Sequence, residues 1–482
     1  MTKSEMKEKA IKGVTWSLIE RFGIQGIKFV LVIILARLLS PEEFGIIGMI
    51  TVFFLVAQVF IDSGFGQAYV QKKEVSDTDA NTVFYSNLII SVILYLILWI
   101  AAPSIASFYE QPILVKLIRV MGIIMIINAF SIIQIAQLTR AVNFKRKSKI
   151  SLISVTASGL LGVSAAWYGL GVWSLVIQNL SERLFITIGL WFTSKWVPSF
   201  SFSRSSFKEM FKYGIWILLG GVLDKIFDNI YVLVIGKLFP IAQLGFYTQA
   251  KKFQRLSSQQ IAGSIGIVTF PVFSQVQSNI PRLQNVLKKF LQQTLIFMTP
   301  LLVIFIVVAK PFVILFLTDK WAPMIPYLQL LCVVGIIYPI NMVNAKVLLA
   351  LGKSKLNFNL SLLKNSLRII NIVVMCRYGV IYIILGEVVL SFISIIINTW
   401  FTRKFMDYGL FKQSRDVWKI IVSGAVAGAA GGVLTLYINN LWFLLAAGIT
   451  LVGGIYLALQ YLINRDVLLE TIRLKDTFIG RR

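Results

Sequence analysis

Residues 28–66 read KFVLVIILARLLSPEEFGIIGMITVFFLVAQVFIDSGFG, and this stretch decides the fold. Two apolar runs flank the short polar segment Ser40-Pro41-Glu42-Glu43. Each run approaches the ~20 residues that a helix needs to cross a hydrocarbon core of about 30 Å. Ser40 suits an N-cap, Pro41 a first helical turn, and Glu42 with Glu43 complements the positive end of a helix dipole. The segment is therefore a helix start between two membrane spans, and not a catalytic site.

The same ruler carried outward predicts spans at 14–38, 44–66, 82–102, 114–137, 150–168, 171–193, 213–238, 244–270, 289–309, 325–350, 359–377, 379–402, 417–437 and 441–463. That makes about fourteen, the fifth/sixth and eleventh/twelfth divisions being the least sharply marked. The fold class expected is all-α, a polytopic membrane protein. Composition agrees: 57% of the 482 residues are hydrophobic and 14% charged, too apolar for a soluble domain. The connections leave no room for a soluble catalytic domain. The charged start, Met1 to Lys12, leads into an apolar run longer than a secretory h-region and lacks a small-residue cleavage site, so the first span stays in the protein.

Forty-seven Lys and Arg against 21 Asp and Glu give a formal charge of +26. The cations fall in every second loop: Lys3, Lys7, Lys9 and Lys12; Lys72 and Lys73; Arg140 and Lys145 to Lys149; Lys195 to Lys212; Arg282 to Lys289; Lys353 and Lys355; Arg403 to Lys419; and Arg465 to Arg482. By the positive-inside rule these loops are cytoplasmic, as are both termini, and the membrane expected is the bacterial inner membrane. A nucleic-acid binder would gather its cations on one face with aromatic partners, so nucleic acid is not a partner expected here; membrane lipids are.

The chain has no histidine, which excludes His-based acid–base chemistry, His metal sites and Ser-His or Cys-His pairs. Cys332 and Cys376 fall in apolar stretches and read as packing residues. No metal site or cofactor is expected. Asp77-Thr78-Asp79 spells a metal-holding pattern of nucleotide-sugar transferases but lies in a short loop, where capping of the third span is the better reading. Gly424, Gly428, Gly431 and Gly432 offer close helix contacts. The tail after Arg465 mixes Val467, Leu468 and Ile472 with charges, as an interfacial helix would.

The chain resembles itself. Gly13 to Trp16 recurs as Gly214-Ile215-Trp216, Arg37-Leu38-Leu39 as Lys237-Leu238-Phe239, and Phe44-Gly45-Ile46 as Leu244-Gly245-Phe246. Leu117, Val120 and Gly122 correspond to Leu330, Val333 and Gly335. Six spans per repeat give two like-oriented bundles, 1–200 and 201–410, with two additional spans in 411–463 and a cytoplasmic tail at 464–482. Two such bundles flanking a midplane cavity suit alternating-access transport; a duplicated, non-transporting scaffold is the plainer alternative.

Ionisable groups at hydrocarbon depth are costly and usually mark function. Span one carries Glu20, Arg21 and Lys28; span seven Asp224, Lys225 and Asp228; span eight Lys251, Lys252 and Arg255; spans eleven and twelve Lys364, Arg368 and Glu387. The excess of cations predicts an anionic head group, with Arg21, Lys28, Lys251, Lys252, Arg255 and Arg368 as its binding candidates. Asp224 and Asp228 are candidates for coupling to H⁺ or Na⁺. The structural alternative pairs these groups internally, Glu20 with Lys28 or Arg21 and Asp228 with Lys225 or Lys252. For Glu20, Arg21 and Lys364 it adds snorkelling from helix ends.

Trp16 before the long first span, Arg37 to Gly45, and Asp62-Ser63-Gly64-Phe65-Gly66-Gln67-Ala68 through Val70-Gln71 are similar to bacterial polysaccharide transporters. These are the lipid-linked oligosaccharide flippases of the multidrug/oligosaccharidyl-lipid/polysaccharide superfamily. The resemblance covers essentially the whole chain, and its motifs are structural. It implies two six-helix lobes, often with two extra helices, around a cationic cavity. It further implies an undecaprenyl-pyrophosphate-linked glycan flipped from the cytoplasmic to the outer leaflet for exopolysaccharide, capsule or O-antigen synthesis, beside a polymerase and other glycan-assembly proteins. Such a protein is not an enzyme. Two other functions fit less well. A cation-coupled multidrug exporter would want a carboxylate-lined cavity, and a glycan polymerase or ligase would want larger outer loops.

Overall fold

The structure, a computed structural model, describes residues 3–62, 65–72, 74–141, 144–194 and 196–470. The described residues contain only helices, turns and loops. The first unit, Met1–Gly245, holds α1 (Lys3–Leu38), α2 (Pro41–Asp62), α3 (Phe65–Gln71), α4 (Asp77–Tyr109), α5 (Ile113–Ala129) and α6 (Ile132–Arg140). It continues through α7 (Phe144–Trp167), α8 (Val172–Thr193), α9 (Arg204–Asp228) and α10 (Ile230–Leu238), and ends in the first turn of α11 (Ile241–Val276). The second, Phe246–Arg482, holds the rest of α11, α12 (Ile280–Val307), α13 (Ala309–Phe312), a π-helical turn (Val313–Leu317), a 3₁₀ turn (Asp319–Met324), α14 (Ile325–Ala350), α15 (Ser354–Met375), α16 (Val380–Met406), α17 (Leu410–Tyr437) and α18 (Leu441–Ile463).

Each of the fourteen expected spans coincides with one of these helices or with a helix interrupted once or twice. Nine helical segments among the described residues are long and apolar enough to cross a membrane. The other long helices, α1, α8, α9, α11 and α15, all carry ionisable residues within their length. The chain is an all-α, multi-pass membrane protein.

Span seven, read from the sequence as one helix over 213–238, is two. Asn229 breaks it (φ −118°, ψ 10°), and its amide donates to the Lys225 carbonyl at 2.9 Å. Span four breaks similarly at Phe130-Ser131, where the Ser131 hydroxyl turns back to the Asn128 carbonyl. Side-chain donors reoccupy the carbonyls freed by such breaks, which makes them tolerable in lipid.

Local capping follows the sequence reading. Ser40 and Glu43 form a reciprocal box at α2: the Ser40 amide donates to the Glu43 carboxylate at 2.6 Å, and the Glu43 amide to the Ser40 hydroxyl at 3.4 Å. Ser76 caps α4 with Asp79 as its reciprocal partner, and Lys72 pairs with Asp79 at 3.0 Å. The Asp77-Thr78-Asp79 pattern is thus a helix start.

Helix packing recurs between the repeats. In the first unit Gly122 on α5 lets Tyr95 of α4 approach; in the second Gly335 on α14 lies against Leu302 of α12 and Gln254. The hairpins α7/α8 and α15/α16 likewise meet through glycine and amide, Gly162 against Gln178 and Gly386 against Asn371. In the C-terminal helices, Gly424 and Gly428 admit Thr299 and Val303 of α12, and Gly431 admits Val307 and Val452. These contacts are the small-residue seams that pack helices where lipid removes any hydrophobic drive.

Candidate functional site

In the first unit a polar seam runs through α1, α7 and α8. Gly159 against Leu31, Gly23 against Leu152 and Gly189 against Ile150 let the three helices approach closely. At one level Glu20 accepts from the hydroxyls of Ser148 and Ser151, each at 3.2 Å, and lies 3.7 Å from the Lys147 ammonium. Ser148 also donates to the Trp16 carbonyl at 3.1 Å, and Lys145 stands 5.5 Å over the Trp16 ring. About 12 Å further along α1, at a rise of about 1.5 Å per residue, Lys28 reaches across to Glu182 of α8 at 2.8 Å. The Lys28 side chain keeps 38% exposure and Glu182 15%.

This geometry corrects the expected pairings. Glu20 is held by Lys147 and two serines, and Lys28 by Glu182, so the two residues of α1 do not pair with each other. Lys364 lies ten residues into α15, far from either end of that helix. The side chain of Arg21 lies outside the described residues. The sequence reading passed over Glu182 and Arg183; the signal was Ser181-Glu182-Arg183 in the middle of a 22-residue apolar helix. Arg183 is exposed.

Asp224 and Asp228 lie one turn apart on α9, both exposed, Asp228 directly before the break at Asn229.

In the second unit Lys251 stands on the Tyr247 side chain, 3.2 Å from its hydroxyl and 5.3 Å from the ring centroid. Lys252 is exposed and Arg255 half-buried on the same helix. Arg368 donates to Asn365 at 3.2 Å, and Lys364 to Asn398 at 3.3 Å. Asn398 continues to Asn341 at 2.8 Å, and Asn341 to the Ser391 carbonyl at 3.2 Å. Nearby, Asn344 and Gln413 exchange two hydrogen bonds at 2.8 and 2.9 Å. Sequence reasoning counted only charges and missed this amide chain. Its signal was Asn341, Asn344, Asn365, Asn371 and Asn398 interrupting apolar helices. Neutral amides let the cations of α15 sit at hydrocarbon depth without a carboxylate partner.

Comparison with known proteins bears on this arrangement. Residues 34–326 match the family model described as "Polysaccharide biosynthesis protein". The chain is 27% identical to the succinoglycan biosynthesis transport protein ExoT of Rhizobium meliloti over 341 residues, 70% of this chain and 69% of ExoT. It is 25% identical to the lipopolysaccharide biosynthesis protein WzxC of Escherichia coli over 402 residues, 82% of this chain and 80% of WzxC. Among solved structures it is similar in fold to the lipid II flippase MurJ in an inward closed conformation, with a TM-score of 0.77 at 18% identity, over 95% of this chain and 100% of MurJ. An inward-facing multidrug resistance transporter of the MATE family gives a TM-score of 0.62 at 16% identity, over 81% of this chain and 99% of that one.

Proposed function

The chain belongs to the polysaccharide biosynthesis protein family of membrane transporters, and on that footing we propose that it flips an undecaprenyl-pyrophosphate-linked oligosaccharide from the cytoplasmic to the outer leaflet by alternating access. The observation that carries the substrate class is the Lys28–Glu182 pair. An ammonium at membrane depth, bound to a carboxylate yet more than a third exposed, is an anion site holding an internal occupant. A pyrophosphate carries more charge and more acceptor oxygens than a carboxylate and so competes with Glu182 for Lys28. Lys251, Lys252, Arg255 and Arg368, with Arg21, supply further cations for the diphosphate and its approach. Asp224 and Asp228, beside the break in span seven, are the groups proposed to exchange H⁺ or Na⁺ during the cycle.

The alternation of Lys and Arg among loops supports cytoplasmic termini in a bacterial inner membrane, and the relatives' names, for succinoglycan and lipopolysaccharide biosynthesis, support a role in glycan assembly, here proposed to be beside a polymerase and other glycan-assembly proteins. A short lipid-linked glycan with a fluorescent sugar, placed in the inner leaflet of proteoliposomes, tests the reading. The label is expected to become accessible to an external lectin with the native protein and to stay hidden with Lys28→Ala. Equal exposure with both overturns the Lys28 site; no exposure with the native protein, beside export of a cationic dye, would instead indicate a drug exporter.

A further inference from the structure

The segment 196–203, before α9, has two unlike sides. Its inner side is fastened to the start of α4. Buried Asn81 donates to the hydroxyls of Ser199 and Ser201 at 2.7 and 2.8 Å and accepts from the Ser199 amide at 3.1 Å. Buried Thr82 accepts from the Ser203 amide at 2.9 Å, and Trp196 packs edge-on against Phe84, ring centroids 5.6 Å apart. Ser203 then caps α9 through the Ser206 amide at 3.2 Å. The backbone is therefore held in one shape by its own polar contacts.

The outer side is apolar and uncovered within this unit. Val197 is 73% exposed, Phe202 55%, and Phe200 is exposed completely. The patch does not stand alone. Leu184, Ile188 and Phe192, spaced four residues apart on α8, are all exposed and form a stripe that runs down the helix into the segment. On the other flank Arg204 and Lys208 are exposed one turn apart on α9. In chain order, exposed aliphatic side chains of α8 give way to exposed aromatic rings and then to exposed cations at the start of α9, the chemistries met from hydrocarbon through interface to phosphate in a leaflet.

We propose that 196–203 is a fixed membrane-interface anchor, with Val197, Phe200 and Phe202 seated among lipid headgroups and Arg204 and Lys208 on the phosphates of anionic phospholipid. Continuity with the α8 stripe selects lipid as the occupant, and the adjoining cations select the anionic kind. The anchor rests on the multi-pass membrane fold and not on the proposed substrate, and it is indifferent to which leaflet the segment meets.

The test uses the full chain with Cys332 and Cys376 replaced by serine and a nitroxide placed by Phe200→Cys. The protein is reconstituted in vesicles of phosphatidylcholine with phosphatidylglycerol. Collision with oxygen and with a water-soluble nickel chelate is read against Leu96→Cys, exposed in mid-α4, and Glu74→Cys, exposed in a loop. The label at 200 is expected to favour oxygen over nickel several-fold more than the label at 74. That excess is expected to shrink when phosphatidylcholine replaces phosphatidylglycerol or when Arg204→Gln and Lys208→Gln are introduced. A label at 200 as open to nickel as that at 74 overturns the anchor. An excess that ignores both lipid charge and the two Gln variants overturns the anionic headgroup assignment. Val197→Cys provides a second reporter should Phe200→Cys fail to fold. Because no glycan is present, the result is independent of the flippase reading.

Discussion

Gly45 and Gly245 hold equivalent places in the internal repeat, and each meets the helix start of the other. A methyl on Gly45 would overlap the Ile241 carbonyl oxygen, and one on Gly245 the Pro41 carbonyl oxygen. The first turns of α2 and α11 thus approach backbone to backbone in a reciprocal contact. Residues that match in the sequence meet in space, as a local two-fold relation demands.

Replacing Gly245 with Ala should lower the melting temperature in detergent, by an amount equivalent to about 1–3 kcal/mol of overpacking. Gly220→Ala is the control, since a Cβ there meets nothing within 4 Å. An unchanged melting temperature for Gly245→Ala would show that the two helix starts separate freely.

Removal of the internal occupant of the Lys28 site separates binding from folding. Glu182→Gln should leave the protein folded, at a cost of about 1–2 kcal/mol for a weakened interhelical hydrogen bond. It should tighten binding of a short-chain prenyl pyrophosphate on the order of tenfold, equivalent to about 1.4 kcal/mol. Isothermal titration of the purified protein measures this, with Lys28→Ala expected to abolish the gain. Weaker binding to Glu182→Gln would mean that the carboxylate orients Lys28 for the ligand and does not compete with it.

The two aspartates at the start of α4 should behave differently. Asp79 accepts from the Ser76 amide and pairs with Lys72, so Asp79→Ala should cost about 1 kcal/mol. Asp77 has no part in the box, and Asp77→Ala should cost only the few tenths expected of one exposed dipole interaction. Thermal melts compare them, and adding Mn²⁺ should raise neither.

Tyr408, in the turn between α16 and α17, donates to Asp416 at 2.6 Å. Burial, and then that carboxylate, raise its pKa above the ordinary value of a phenol. A folded-state pKa above the unfolded one means that the phenol's contribution is complete below about pH 10 and declines as pH rises from there through the raised value. The stability difference between the native protein and Tyr408→Phe should therefore be flat from neutral pH to about pH 10 and narrow above it. Guanidinium-free melts at stepped alkaline pH would show it; a difference that narrows already at neutral pH contradicts the assignment.

The fold was legible because bilayer thickness makes hydrophobic run length a direct ruler. Runs such as 417–437 and 441–463 lie within α17 and α18 with no further information. The break at Asn229 was not legible, since the surrounding residues, Ile226 to Val234, are mostly apolar and give a continuous span by hydropathy. Of the candidate site, the cations were legible as exceptions to hydropathy, but their partners were not. Lys28 and Glu182 lie 154 residues apart, and the seam that joins them depends on Gly159 of α7 admitting α1, Gly23 of α1 admitting α7 and Gly189 of α8 admitting α7.

By itself the sequence determined an all-helical membrane protein with an internal repeat and costly cations in chosen helices. Those are properties of local composition measured against a solvent of fixed thickness. Only the tertiary structure decided that Lys28 is held by Glu182, Glu20 by Lys147 and the serines of α7, and Lys364 by an amide. An ion pair forms where helix packing brings two charges within a few ångströms, and that distance is set by the close approach of helices remote in the chain.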